Sequence, residues 1–268
     1  MTKTMPVLAH RDFGGEGLPP LIILHGLLGS SRNWQTAGRD LAAHFHVCAL
    51  DLRNHGESFH AREMSYATMA GDVVAWMDAQ GIVRAHFLGH SMGGKIAMLL
   101  ACEHPERVEK LVVVDIAPKA YPRSHMRDFD AMNGLELATL TSREEAERRI
   151  EPLVTDWAMR KFLLTNLERR AQSGDGGAVF RWSINLAGLT AALPLLEAEF
   201  LEAGARFDGD VLFVLGGKSR YFAPGDEALV TPHFSRAHFE TIAESGHNPH
   251  FDARERFVGI VAEFLDGE

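Results

Sequence analysis

Residues 89–93 read Gly-His-Ser-Met-Gly, and their types and spacing are those of a serine placed for nucleophilic attack. An apolar run at 85–88 precedes them, and a helical apolar stretch at 95–101 follows them. A serine at such a sharp strand-to-helix turn exposes its hydroxyl, and glycine two residues before and after it lets the chain pack closely. We therefore predict that Ser91 is a nucleophile, against the alternative that it only caps the helix.

A serine hydroxyl is a poor nucleophile near neutral pH. It needs a base within hydrogen-bonding distance and a carboxylate that orients this base. His247 is the candidate base, because it follows a glycine in a loop after the last predicted strand, and His250 in the same loop is the alternative. Five other histidines are interpreted as surface residues: His10, His44, His104, His125 and His238.

Two backbone amides are placed to bind the oxyanion that forms when a nucleophile attacks a carbonyl. Residues 24–29 read Leu-His-Gly-Leu-Leu-Gly and follow a short apolar run that predicts a strand. Gly26 permits close approach of the chain, so the N–H of Leu27 is predicted to point at the oxyanion. The N–H of Met92, the residue after the serine, is the predicted second donor.

Apolar runs that alternate with helical stretches must position these residues. Such an alternation predicts an α/β fold with a mostly parallel sheet that is covered on both faces. The predicted strands are 21–24, 47–50, 85–88, 111–114, 211–215 and 237–243. The predicted core helices are 33–45, 66–80, capped by Ser65, and 254–265.

The alternation stops after residue 118. Residues 120–204 contain no run that predicts a strand, whereas 143–150 and 157–171 predict helices and the glycines at 174–177 predict a turn. We interpret residues 119–204 as a helical cap, inserted into an α/β core that comprises 1–118 and 205–268.

Composition excludes several classes of function. The net charge of −9 disfavours a nucleic-acid partner, which would require a basic face. The sequence contains no apolar run of membrane-spanning length and no signal peptide, so a cytoplasmic protein is expected. Its two cysteines, Cys48 and Cys102, are interpreted as buried reduced thiols. The protein is expected to be a monomer or a small homo-oligomer.

Four segments, in this order along the chain, resemble the α/β-hydrolase superfamily: His25-Gly26, Asp-Leu-Arg-Asn-His-Gly-Glu-Ser at 51–58, Gly-His-Ser-Met-Gly-Gly-Lys at 89–95, and Gly246-His247. The second and third segments are most similar to small bacterial esterases and their mitochondrial relatives. The resemblance implies a serine hydrolase that needs no metal or organic cofactor and acts on a small acyl ester or acyl thioester. The 51–58 loop is expected to hold the rim of the site together through hydrogen bonds of Asp51, Arg53 and His55.

One position departs from the usual family pattern. In that pattern the acid follows the strand after the cap, where this chain has Ser219. In the esterases that this chain resembles, the sequence Val-Asp-Ile-Ala-Pro, here at 114–118, accompanies a serine at the later position. We predict that Asp115 orients His247 and that Ser219 hydrogen-bonds to this pair. Asp226 is the alternative acid, and a loop-capping role is the alternative for Asp115.

The predicted cap offers apolar side chains for an acyl pocket over Ser91, although some of them must pack the cap against the sheet. They are Tyr121, Met126, Phe129, Met132, Trp157, Met159, Phe162, Leu163, Trp182 and Leu186. Four cations of the cap are candidate contacts for an anionic group such as a CoA phosphate, or else belong to a solvated face: Arg123, Arg127, Lys161 and Arg181.

The leading hypothesis is an esterase or thioesterase that cleaves short to medium acyl groups through an acyl-enzyme. A C–C bond hydrolase or lyase on the same scaffold is the alternative enzyme. A ligand receptor without catalysis is disfavoured, because both Ser91 and His247 are present.

Overall fold

Strands and helices alternate along the chain, as the apolar runs predict. The computed structural model describes residues 6–121, 123, 125–170 and 179–267. Its strands are β1 (His10–Asp12), β2 (Pro20–Leu24), β3 (His46–Leu50), β4 (Ala85–His90), β5 (Val108–Val114), β6 (Leu167–Arg170), β7 (Val179–Trp182), β8 (Val211–Gly216) and β9 (Ala237–Ile242). Its α-helices are α1 (Gln35–Leu41), α2 (Tyr66–Gln80), α3 (Met92–Glu103), α4 (Met126–Asn133), α5 (Arg143–Ile150), α6 (Trp157–Leu164), α7 (Leu186–Leu196), α8 (Glu227–Val230), α9 (Pro249–Asp252) and α10 (Arg254–Asp266).

Seven strands form one sheet in the order β1-β3-β2-β4-β5-β8-β9. β1 pairs antiparallel with β3, and the other five strand pairs are parallel, which confirms the predicted α/β sheet. Leu24 of β2 pairs with Gly89 of β4, and His90 of β4 pairs with Val114 of β5. The residues that follow these three strands therefore meet at one edge of the sheet.

Hydrophobic side chains fill both faces of the sheet. Every residue of β4 and β8 is buried, as expected for central strands that are covered on two sides. One face packs against α2 and α3, and the opposite face packs against α1 and α10. α2 begins where the sequence predicts, with the Ser65 hydroxyl accepting the N–H of Thr68. Within the described residues, no helix is long and apolar enough to cross a membrane.

The segment between β5 and β8 contains two strands, so the expectation of a strand-free cap was wrong. β6 and β7 pair antiparallel, with Leu167 opposite Trp182. Each strand has four residues, and Leu167 and Phe180 are their buried positions. Four residues among charged neighbours are too few to show the alternation of apolar and polar residues that predicts a strand. The strands also form only because two segments separated in the sequence pair with each other.

The helices of this segment match the sequence in part. α5 occupies the predicted residues 143–150, whereas α6 ends at Leu164, so the predicted helix at 157–171 was too long. The glycines at 174–177 lie outside the described residues. The boundaries of the cap at 119–204 stay a prediction.

Candidate active site

Ser91 occupies a strained turn between β4 and α3. Its φ of 53° and ψ of −116° lie in a region that residues other than glycine rarely adopt. A Cβ on Gly89 would lie 2.3 Å from the carbonyl oxygen of Gly93, and a Cβ on Gly93 would lie 2.2 Å from that of Leu24. The Ser91 side chain makes no capping hydrogen bond, which removes the capping alternative. Ser91 instead lines a pocket.

Asp115 follows β5, next to Ser91 across the sheet. Its side chain is fully buried, and its Oδ1 accepts the backbone N–H of Gly216 at 2.9 Å. Its Oδ2 lies 2.7 Å from Nδ1 of His247 and also accepts the hydroxyl of Ser219. The structure thus brings together the predicted acid, base and supporting serine.

Two contacts orient the His247 ring, and a third holds its backbone. Besides the bond to Asp115, the ring of Tyr221 stacks on it with centroids 3.8 Å apart and planes inclined by 19°. Nε2–H of His90 donates to the His247 carbonyl at 2.8 Å. Because Nδ1 of His247 is bound to the carboxylate, its Nε2 is the nitrogen that remains to accept a proton.

The two alternative residues have other partners. His250 stacks on Trp34 with centroids 4.1 Å apart, and burial lowers its pKa to about 3. Asp226 accepts hydrogen bonds from the ammonium of Lys119 and from the N–H of Ala223. Among the described residues, no hydrogen bond or ion pair joins Asp226 to His247.

Two buried histidines shape the loop that carries the Leu27 amide. Nε2 of His25 accepts the N–H of Leu52 at 3.0 Å, so its Nδ1–H donates to the carbonyl of Gly26. Nε2 of His55 accepts the N–H of Leu28 at 3.2 Å, and Leu28 itself has a φ of 61°. Burial lowers the pKa of both imidazoles, that of His55 to about 3, so both are neutral acceptors.

The 51–58 loop is held together by hydrogen bonds, as expected. The carboxylate of Asp51 accepts the N–H groups of Ser31 and Glu57 at 2.7 and 2.8 Å. Arg53 binds Asp72 of α2 through two of its nitrogens. These contacts join the rim of the site to the first helices of the core.

A narrow pocket opens beside Ser91. It holds about 30 Å³ in which the centre of a water molecule can lie. Its walls come from the core elements and from the segment between β5 and β8: Leu27, Tyr66, Ser91, Met92, Lys95, Ile116, Tyr121, His125, Leu196, Glu197 and Tyr221. Both predicted oxyanion donors, the residues 27 and 92, therefore lie on its wall.

A larger cavity of about 490 Å³ lies between α4 and α7 and shares Glu197 with this pocket. Met126 and Phe129 line it, as does Arg123. Trp157 is 63% exposed, so this predicted pocket residue faces solvent instead. Of the other predicted apolar residues, Tyr121 lines the pocket of Ser91. Met132, Phe162, Leu163, Trp182 and Leu186 belong to the hydrophobic core or pack against it, whereas Met159 is exposed.

Two of the four candidate cations fit a solvated face better than a phosphate site. Lys161 pairs with Glu147, and Arg181 pairs with Glu168; both cations are about half exposed and both carboxylates are partly buried.

His125 was expected at the surface, and the structure corrects this. It is only partly exposed and lines the pocket of Ser91. Its Nδ1 lies 3.5 Å from the carboxylate of Glu197, and burial lowers its pKa. The residues around His125 do not predict its burial, because this burial depends on how α4 packs on α7.

Tertiary contacts also add Lys95, Tyr66, Tyr221 and Glu197 to the pocket. Of these, Lys95 carried the clearest signal in the sequence, because a residue four positions after the nucleophile lies on the same face of the following helix.

One group of potential metal ligands lies elsewhere. Asp12, His46 and Cys48, on β1 and β3, bring their ligand atoms within 4.8 Å of one another. His46 Nε2 is 3.0 Å from the Asp12 carboxylate, and burial raises the pKa of the Cys48 thiol to about 12. A hydrogen-bonded sheet edge explains this group, and the described lining residues of the Ser91 pocket do not include it.

A family model for the alpha/beta hydrolase fold matches residues 19–254. The chain belongs to the α/β-hydrolase family. This α/β-hydrolase is 35% identical to the sn-1-specific diacylglycerol lipase ABHD11 of Mus musculus, over 98% of this chain and 86% of the relative. It is 32% identical to the esterase YbfF of Escherichia coli (strain K12), over 92% of this chain and 93% of the relative.

A solved structure supports the same family assignment. The chain superposes on a marine microorganism esterase with a TM-score of 0.91 and 34% identity, covering 97% of this chain and 99% of that one. The resemblance stated from the motifs is thereby confirmed. The protein is an ester-cleaving hydrolase of the α/β-hydrolase family.

Proposed function

We propose that the protein cleaves carboxylic esters and thioesters of short to medium acyl groups through an acyl-enzyme on Ser91, with His247 as base and Asp115 as the orienting acid. The observation that carries this proposal is the 2.7 Å contact between His247 Nδ1 and Asp115 Oδ2. It leaves Nε2 of His247 to accept a proton, and the Ser91 side chain makes no capping hydrogen bond that would occupy its hydroxyl.

In the first half-reaction, Nε2 of His247 accepts the proton of Ser91 while Oγ attacks the carbonyl carbon. The backbone N–H groups of Leu27 and Met92 bind the resulting oxyanion. The buried carboxylate of Asp115 stabilises the imidazolium, which then protonates the leaving alcohol or thiol. In the second half-reaction a water molecule, activated by His247, releases the acid and restores the serine.

The small volume of the pocket favours a short acyl group. Directly beside Ser91 only about 30 Å³ is open to a water-sized centre. The cavity of about 490 Å³ that shares Glu197 offers space for a longer chain or for a leaving group.

A fluorophosphonate probe tests the proposal, because it reacts covalently only with an activated serine. We expect one adduct by intact mass, mapped by peptide sequencing to Ser91, and no adduct in His247→Ala. A folded wild-type protein that fails to react, or an adduct on another serine, contradicts the proposal. Rates on acyl esters of graded chain length then define the acyl preference.

A further inference from the structure

A buried ammonium group shares the pocket with Ser91. Lys95 lies four residues after the serine on α3, and its backbone N–H donates to the Ser91 carbonyl at 3.1 Å. Its side chain is 2% exposed, although burial of a charge without a partner is costly. The proposed acyl-enzyme mechanism has no use for this group.

The surroundings of Lys95 stabilise its charge but leave hydrogen-bonding capacity unused. Nζ lies 4.9, 5.1 and 5.4 Å from the ring centroids of Tyr121, Phe200 and Tyr66. Aromatic faces attract a cation without accepting conventional hydrogen bonds. Of the three N–H groups of an ammonium, the described structure pairs one, with the carbonyl of Ala198 at 3.4 Å.

Glu197 is the carboxylate on the same pocket wall. Its oxygens accept the backbone N–H groups of Arg123 and His125 at 2.9 and 3.1 Å, and the His125 ring is 3.5 Å away. Within the described residues, Lys95 forms no ion pair with this or any other carboxylate. Burial lowers the pKa of Lys95 to about 8, and the charge of Glu197 opposes this shift, so the ammonium form still predominates at pH 7.

We propose that Lys95 binds a carboxylate at the far end of the acyl group, so that the preferred substrates are half-esters or half-thioesters of short dicarboxylic acids. This inference rests on the proposed function, because the carbonyl must lie between Ser91 and the two oxyanion donors. Ser91 and Lys95 are one helical turn apart, about 6 Å along the axis. An acyl chain such as succinyl or glutaryl has a length of this order, and a charge-assisted hydrogen bond is the strongest contact that the ammonium can make.

Two esters with acyl chains of equal carbon number test the proposal: monoethyl glutarate, which ends in a carboxylate, and ethyl pentanoate, which ends in a methyl group. We expect wild type to have the higher kcat/KM on monoethyl glutarate. Lys95→Met keeps the length of the side chain without its charge. It should lower kcat/KM on monoethyl glutarate about 10- to 100-fold and leave or raise that on ethyl pentanoate. Lys95→Arg is the control that keeps the charge.

A wild-type preference for ethyl pentanoate overturns the proposal, as does an equal loss on both esters in Lys95→Met. Product inhibition of the wild type gives a measurement that does not depend on the folding of a variant. Glutarate should inhibit ethyl pentanoate hydrolysis more strongly than pentanoate does, and equal or weaker inhibition overturns the proposal. If fluorophosphonate labels Ser91 and ethyl pentanoate is hydrolysed while these tests fail, only the role of Lys95 is wrong; absence of labelling refutes the proposed function itself.

Discussion

The phenol ring of Tyr221 lies flat against the imidazole of His247, with ring centroids 3.8 Å apart. The same segment reaches the acid, because the N–H of Tyr221 donates to Oγ of Ser219 at 3.2 Å. The Ser219 hydroxyl in turn donates to Asp115. Residues 219–221 therefore hold both members of the His247–Asp115 pair, although this segment lacks the carboxylate that the family pattern places here.

Replacement of Tyr221 tests whether the stacked ring assists the reaction. The imidazolium that forms on proton transfer would lie against the aromatic face, an interaction that stabilises a cation. Tyr221→Leu should lower kcat about 3- to 30-fold on a short neutral ester, whereas Tyr221→Phe keeps the ring and should stay near wild type. Equal kcat values for the two variants would exclude a role for stacking.

Asparagine substitutions distinguish the two candidate acids. Asp115→Asn should lower kcat by a factor on the order of 10⁴, because the amide carries no charge and does not hold His247 in the required tautomer. Asp226→Asn should keep kcat near wild type and lower Tm, because Asp226 pairs with Lys119. Steady-state rates and thermal melts measure both effects. Near-normal turnover in Asp115→Asn would exclude it as the acid.

Ser219→Ala removes one hydrogen bond from the acid. Asp115 keeps the N–H of Gly216 and the ring of His247, so we expect kcat to fall only about 5- to 10-fold. Ser183→Ala is the control, since it removes a hydroxyl bonded to the Asn166 carbonyl in the cap and should leave kcat unchanged. An unchanged kcat in Ser219→Ala would mean that the hydroxyl does not support the pair.

Replacing Gly93 and Gly71 by alanine should change the free energy of unfolding in opposite directions. In Gly93→Ala the new methyl group would lie 2.2 Å from the Leu24 carbonyl, so the free energy of unfolding should fall by about 3 kcal/mol or more. Gly71 lies exposed within α2 with no atom within 4 Å of an added Cβ. Gly71→Ala should raise the free energy of unfolding by about 0.5–1 kcal/mol. Urea titrations followed by circular dichroism measure both, and a fall of similar size in the two variants would contradict the argument.

Buried histidines should make the fold sensitive to acid. Burial lowers the pKa of His55 and His250 to about 3, whereas an unfolded histidine titrates near 6.5. Between these two pH values, His55 and His250 are protonated in the unfolded chain but neutral in the folded protein. The stability that is present above about pH 6.5 is therefore lost as the pH falls towards 3, by about 1.4 kcal/mol per pH unit for each histidine.

The measurement is the free energy of unfolding at several pH values between 7 and 4. His250→Phe keeps the stacking partner of Trp34 and should reduce the slope by about 1.4 kcal/mol per pH unit. His238→Gln, at an exposed position, should leave the slope unchanged. A wild-type free energy that does not change across this range would contradict the expected burial effect.

The sequence by itself determined the parallel sheet, the order of the core elements and the turn at Ser91. These features depend on neighbouring residues: continuous apolar runs predict central strands, and glycines two residues either side of a serine meet a steric demand of the turn itself. Ser65 before α2 is an equally local signal, because a capping hydroxyl bonds an amide three residues later.

Only the tertiary structure decided which side chains meet at the site. The sequence predicts Asp115 as the partner of His247, with Asp226 as the alternative; the fold places Asp115 at 2.7 Å from His247 and pairs Asp226 with Lys119. The tertiary structure also decided three other features: the β6–β7 pair, the position of His125 and the burial of Lys95. Each depends on contacts between segments far apart in the chain, where packing and desolvation, rather than local pattern, set the energy.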